Sequence, residues 1–418
     1  MEDRATELKL AKKSKWRHLL VGCAVIIGPG TMVMLADTDV GSVVTAAQSG
    51  VQWGYSMIVP ELILVPILYL IQEITVRLGI ITGRGHGQLI RERFGWGWAL
   101  LSVSTLFLTS VGALITEFSG IAGVGVLVSV PSWLSVGFAT IILVAIGISG
   151  RYQRVEWIGI GLGSLELAFV VTAIEARPRL SSLVHGLVSV PVSHSSYVFL
   201  LAANVGAVIM PWMIFYQQGA VIDKKWTAKD LKLARVDTAV GAIITQVLMI
   251  AVVVTAAATL GRLHINALQS IPQIANSLEV VMGKTPGKLI FGAGILGAGF
   301  VAALVASLAG AWGIGEAFGF NHSLNHKFRE APLFYTIYTV AHVAGAILVI
   351  ASVDLVRLIV DVEVMNAMLL PIVLGFLMAL EFKTLPDRFR MRGWYRNMVW
   401  LLSGVVMAFG VYMMIVSL

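Results

Sequence analysis

Charge is what this chain has least of. Only 13% of its 418 residues are Asp, Glu, Lys or Arg, against roughly a quarter in an ordinary soluble domain. Hydrophobic residues make up 57%, more apolar surface than a water-soluble globule can hide. Cysteine occurs once, at Cys23, which excludes an intramolecular disulfide and a thiolate metal cage. Leu20-Val21-Gly22-Cys23 has the form of a lipoprotein cleavage site. Too few apolar residues separate it from Arg17 and His18 to make a signal-peptide core, so the stretch reads as the start of a retained helix. The chain also lacks HExxH, paired histidines and Gly-x-Ser-x-Gly, which argues against an intramembrane enzyme.

What it has in quantity is long apolar runs, each sufficient for a bilayer crossing of about 20 residues. They fall near 19–50, 56–80, 98–128, 133–149, 156–174, 197–222, 237–260, 287–317, 333–353, 355–380 and 395–417. The expectation is an all-α, polytopic membrane protein of about eleven transmembrane helices. The net charge of +7 comes from short basic clusters rather than a continuous stripe. Lys9, Lys12, Lys13, Lys15 and Arg17 lie in the N-terminal tail, and every second loop repeats the pattern, as at Arg91 and Arg93, Arg151 and Arg154, Lys224 and Lys225, and Arg388 to Arg396. That is positive-inside topology, not a nucleic-acid surface. Residues 1–18 read as a cytoplasmic tail and 19–418 as one transmembrane unit of the plasma membrane, with the C-terminus outside. Function is expected within the bilayer, and the sequence leaves the oligomeric state open, a monomer included.

Two spans are interrupted. The first carries Gly28-Pro29-Gly30 and then LADTDVGS, which holds Asp37 and Asp39, the only Asp, Glu, Lys or Arg residues between His18 and Glu61. The sixth reads LAANVGAVIMPWMIFYQQGAV, with Gly206 and Pro211 at its centre. An intramembrane Gly/Pro pair predicts a break, and broken backbone at membrane depth is tolerated only in packed protein or along a wet cavity. Spans one and six each open a set of five, giving repeats over 19–175 and 197–381 with an extra helix at 395–417. Paired breaks at corresponding positions mark a transporter site near the bilayer midplane. Two carboxylates this close need a cation. The span interiors offer almost none: Arg77 lies near one span end, and Arg357 has Asp354 and Asp361 at helical spacing. A mobile cation is the better candidate.

GPGTMVMLADTDVGSVVTAAQSGVQWGY resembles the first helix of the Nramp family of divalent metal transporters, whose signature there is Asp-Pro-Gly-Asn. IMPWMIFYQQGAV resembles the family's sixth helix, with its Met-Pro-His, and VRLGIITG followed by RERFG resembles the segment after span two. The resemblance covers nearly the whole chain. It implies two inverted five-helix repeats in the amino-acid/sodium symporter-like fold, with helices one and six broken. It implies no cofactor, the metal ion being the substrate. Position by position, it makes Asp39 and Met210 metal ligands, puts Ser42 where the family has its asparagine, and gives Ala36 and Ala207 the positions that offer backbone carbonyls.

The chain also departs from that pattern. Asp37 is an extra acid, Trp212 replaces the histidine, Glu363 aligns with a glutamine that approaches the ion, and Leu114 stands where an aspartate of the proton pathway is expected, although Glu117 keeps an acid nearby. Asp37 and Glu363 pull toward Mg²⁺, and Met210 toward Mn²⁺ or Fe²⁺. The departures resemble those of the family's magnesium-transporting branch. Without the histidine and the aspartate, weak or absent proton coupling is expected. The blander alternatives are a helix cap or pore-wall residue for Asp37, packing for Trp212, a hydrogen-bonded core residue for His342, and structural acids at Glu61, Glu73, Glu166 and Glu316. Competing functions are a proton-coupled Mn²⁺/Fe²⁺ transporter, a channel, and an organic-solute carrier on the same fold. A buried acid would repel the carboxylate of an amino-acid-like solute.

Overall fold

A computed structural model describes residues 28–263, 267–351 and 355–417. The basic tail, Cys23, the first part of span one and Asp354 lie outside the described residues. Within them the chain is helical, with no strand. The first span is α1 (Pro29–Asp37) and α2 (Val40–Trp53), followed by α3 (Ile58–Thr82). A short α4 (His86–Phe94) precedes α5 (Trp96–Leu127) and α6 (Ser132–Ile148). The fifth span is α7 (Tyr152–Gly163) and α8 (Ala168–Glu175), joined through a 3₁₀ turn at Ser164–Leu167, and α9 (Leu180–Val188) closes the first half. The sixth span is α10 (Ser195–Val208) and α11 (Pro211–Asp223). Then come α12 (Leu231–Ala258), α13 (Ile271–Met282), α14 (Lys284–Phe318), α15 (Pro332–Ile350), α16 (Leu355–Thr384) and α17 (Gly393–Ser417).

Among the described residues, nine helical stretches have the length and composition to cross a membrane, one of them running from Val40 to Thr82, and Ser132–Ile148 is a shorter apolar helix. Dividing Val40–Thr82 at the turn between α2 and α3, and counting α6, returns the eleven traverses expected. Gly28-Pro29-Gly30 opens α1, with Pro29 in its first turn, where a missing N–H costs nothing. Two features depart from the sequence reading. The fifth span is not one continuous helix. Short helices α4, α9 and α13 occupy connections that read as loops.

The broken spans are the centre of the molecule. Every residue of α1 and α11 from Pro29 to Val221 within those helices is buried, whereas α6, α8, α15 and α17 turn Phe138, Ile141, Ile174, Ile347 and Ile415 outward, as lipid-facing helices do. The basic loops gather at one end. Lys224 Nζ pairs with Glu156 Oε1 at 2.9 Å, Arg77 Nη1 donates to Phe389 O at 2.6 Å, and Arg91 Nη1 donates to Ala317 O at 2.7 Å.

Candidate functional site

The break in span one is built by its backbone. Thr38 leaves the helix at φ −77°, ψ 50°, and Asp39 is extended at φ −75°, ψ 179°. In a continuous helix Val40 N–H would bond Ala36 O. It donates instead to Glu117 Oε2 on α5, at 3.2 Å, so the Ala36 carbonyl loses its helical donor. Asp39 caps α2, accepting from Ser42 N at 2.6 Å through Oδ1. Its Oδ2 is buried with no donor among the described residues. Asp37 closes α1: Oδ2 accepts from Thr245 Oγ1 at 3.2 Å, and Oδ1 has no donor among the described residues. The capping role weighed for Asp37 therefore falls to Asp39.

The second break follows from Pro211. Having no N–H, it leaves the carbonyl four residues back, Ala207 O, without a helical donor, and Met210 is extended at φ −79°, ψ 132°. Ser42 fills the gap. Its Oγ lies 2.7 Å from Asp37 O and 3.0 Å from Ala207 O, so one hydroxyl proton serves both breaks. Ser42 and Ala207, two of the expected ion-facing groups, thus satisfy each other here. Met210, the N-cap of α11, is buried in the core.

Glu363 on α16 completes the wall. A β-carbon on Gly41 would overlap Glu363 Oε1 and lie 3.2 Å from Asp39 Oδ1, and one on Gly206 would overlap the Glu363 carbonyl oxygen. Glycine at both positions lets α16 approach each break closely. Glu363 Oε2 accepts from Asn366 Nδ2 at 2.9 Å.

No Lys or Arg among the described residues forms an ion pair with Asp37, Asp39, Glu117, Glu166 or Glu363. Arg77, the cation considered from sequence, is taken by Glu73 at 3.0 Å and Glu381 at 3.6 Å, and Arg357 lies 3.8 Å from Asp361. Buried carboxylates cost several kcal/mol each unless something pairs with them. Even so, no group of three or more His, Cys, Asp or Glu among the described residues is gathered as a ready-made metal cage. The breaks supply an acidic wall of separate oxygens rather than a closed cage.

Other residues divide cleanly. Glu73 is structural, bound by Arg77 and Arg235, and Glu316 caps α4 through Gly87 N at 3.0 Å. Glu61 Oε2 meets the Gln246 amide at 2.8 Å once that amide is oriented to donate. His342 is a core histidine, its Nδ1 2.9 Å from Tyr338 O. His86, buried at the start of α4, is pushed down to about 4 by burial and stays neutral near pH 7. Trp212 is fully buried, consistent with packing. Sequence reasoning kept Glu117 only as a nearby acid. Its one signal was a charge inside a long apolar helix, and its grip on Val40 N could not be read from that.

The profile of the Nramp family, described as natural resistance-associated macrophage protein-like, matches residues 30–416. Divalent metal cation transporter MntH of Pectobacterium carotovorum is 27% identical over 298 residues, 68% of this chain and 70% of that protein. MntH of Yersinia enterocolitica is 26% identical, over 68% and 71%. In fold, the chain is similar to a mutant of the Eremococcus coleocola manganese transporter, with a TM-score of 0.74 at 17% identity, covering 93% of this chain and 86% of that one. It is also similar to Mhp1, a nucleobase-cation-symport-1 family transporter, with a TM-score of 0.60 at 14% identity, covering 93% and 90%.

Proposed function

We propose a function from the premise that this chain belongs to the Nramp family. It is an integral, multi-pass membrane transporter whose cargo is a divalent metal cation, moved by alternating access around the two broken helices. The names of its MntH relatives support the cargo class. The observation that carries the reading is the pair of buried, donor-free oxygens, Asp39 Oδ2 and Asp37 Oδ1, at a break that no Lys or Arg among the described residues neutralises.

In this reading Asp39 Oδ2 is the primary ligand. Met210, the carbonyls of Ala36 and Ala207, and Ser42 Oγ complete the approach from the two breaks, with Glu363 and Asp37 adding charge. For Ala207 O to meet the ion, Ser42 must release it. Carboxylate and carbonyl oxygen suit Mg²⁺ and Mn²⁺, while the Met210 thioether favours softer ions. The preponderance of oxygen favours Mg²⁺ or Mn²⁺. With Leu114 and Trp212 at the two relay positions, transport proceeds with weak or absent proton coupling.

Calorimetric titration of the purified protein with Mg²⁺, Mn²⁺ and Ca²⁺, repeated on Asp39→Ala, tests this. Binding in the wild type that the variant loses is the expected result. A micromolar Mn²⁺ signal selects Mn²⁺ and a millimolar Mg²⁺ signal selects Mg²⁺. Undiminished binding in Asp39→Ala overturns the reading.

A further inference from the structure

We propose that Glu166 is a further wall of the ion site, its carboxylate reaching the transported cation from the α7 side and tilting the site toward hard ions. The proposal rests on the transport reading and deepens it.

The placement follows from two glycines. A β-carbon on Gly159 would lie 2.5 Å from Met32 Cε, and one on Gly163 would lie 2.7 Å from Leu35 Cβ, so these bare positions press α7 against α1. Residues spaced three or four apart share a helix face, and the next turn of that face carries Glu166. One turn beyond Leu35, α1 ends at the break. That face carries Glu166 toward the break, where its acidic neighbours are Asp39 and then Asp37. The helix changes to 3₁₀ over Ser164–Leu167 at this point, the kind of mid-helix irregularity that marks functional segments.

The side chain is fully buried, and neither of its oxygens has a hydrogen-bond partner among the described residues. That separates it from the structural acids. Asp237 accepts from Gly28 N, Gly30 N, Thr31 N and Thr31 Oγ1, Glu156 holds Lys224, and Glu316 holds Gly87 N. A buried carboxylate without a donor, on the face that leads to the break of Asp37 and Asp39 and with no Lys or Arg paired to it among the described residues, is a hard-oxygen arm for a mobile cation. Met210 supplies the opposite preference from the second break, and the balance between them sets the choice of ion.

Isothermal titration of wild type, Glu166→Gln, Glu166→Asp and Asp39→Ala with Mg²⁺, Mn²⁺ and Cd²⁺ tests this. Glu166→Gln, nearly isosteric, is expected to weaken the hard ion, Mg²⁺ or whichever of Mg²⁺ and Mn²⁺ binds, by about tenfold while Cd²⁺ changes by less than about twofold. Glu166→Asp, which keeps the charge, restores most of the hard-to-soft ratio and carries the test if Glu166→Gln fails to fold. Equal loss of both ion classes, an unchanged hard ion, or a ratio lost in Glu166→Asp overturns the assignment. If Asp39→Ala abolishes binding while Glu166→Gln is silent, only the role of Glu166 falls. If Asp39→Ala leaves binding intact, or the wild type binds no divalent ion, the transport reading falls and takes this proposal with it.

Discussion

At Asp39 one carboxylate divides its oxygens between two roles. Oδ1 accepts from Ser42 N and starts α2, while Oδ2 is buried at the break without a donor among the described residues. In the proposed site the fold would thus fix the orientation of the group before any ion arrives, the preorganisation that metal sites depend on. Gly41 protects that arrangement. Gly41→Ala would push a methyl into Glu363 Oε1 and crowd Asp39 Oδ1, so hard-ion affinity is expected to fall about tenfold or more, read by titration calorimetry. Wild-type affinity in that variant would show that Glu363 does not need its present position. The pair Asp37 and Asp39 was legible in sequence because a charge in an apolar run stands out. Ser42 was legible only as a substituted asparagine, since its bond to Ala207 O joins residues 165 positions apart. Glu166 was legible as an acid but looked no different from Glu73 or Glu316, because what distinguishes it is the lack of a partner, a property of the folded chain.

At the scale of elements, the breaks were readable because their causes are local. Pro211 removes a donor wherever it sits, and two carboxylates inside an apolar run stand out. The support of α1 was not legible because it is remote: Asp237 on α12 gathers the amides of Gly28, Gly30 and Thr31, placing negative charge at the positive end of the half-helix. Asp237→Ala strands those donors and should destabilise the protein by about 2 kcal/mol, read as a lower melting temperature in detergent. An unchanged melting temperature would show the cap to be dispensable. The short helices α4, α9 and α13 were not legible, since segments of this length are marginal by themselves and form because tertiary contacts hold them.

For the whole molecule, the count of apolar runs and the rhythm of basic loops carried the topology, and those loops do converge at one end. Proton coupling is a property of this scale, because a relay must cross the protein. His342 is engaged by Tyr338 O, and Leu114 offers no proton site. Proteoliposomes loaded with a pH dye should therefore take up the divalent ion without internal acidification. Acidification that tracks uptake would establish coupling and require a relay elsewhere.

The contact between Gly206 and the backbone of Glu363 joins two parts of the site that sequence treats as unrelated. With no side chain between them, α10 and α16 meet main chain to main chain, and a shift of one is passed to the other without slack. In the proposed transport cycle, a tilt of the sixth span that uncovers the site would move the Glu363 carboxylate with it, so that letting the cargo out and relaxing the grip upon it would become a single mechanical coordinate.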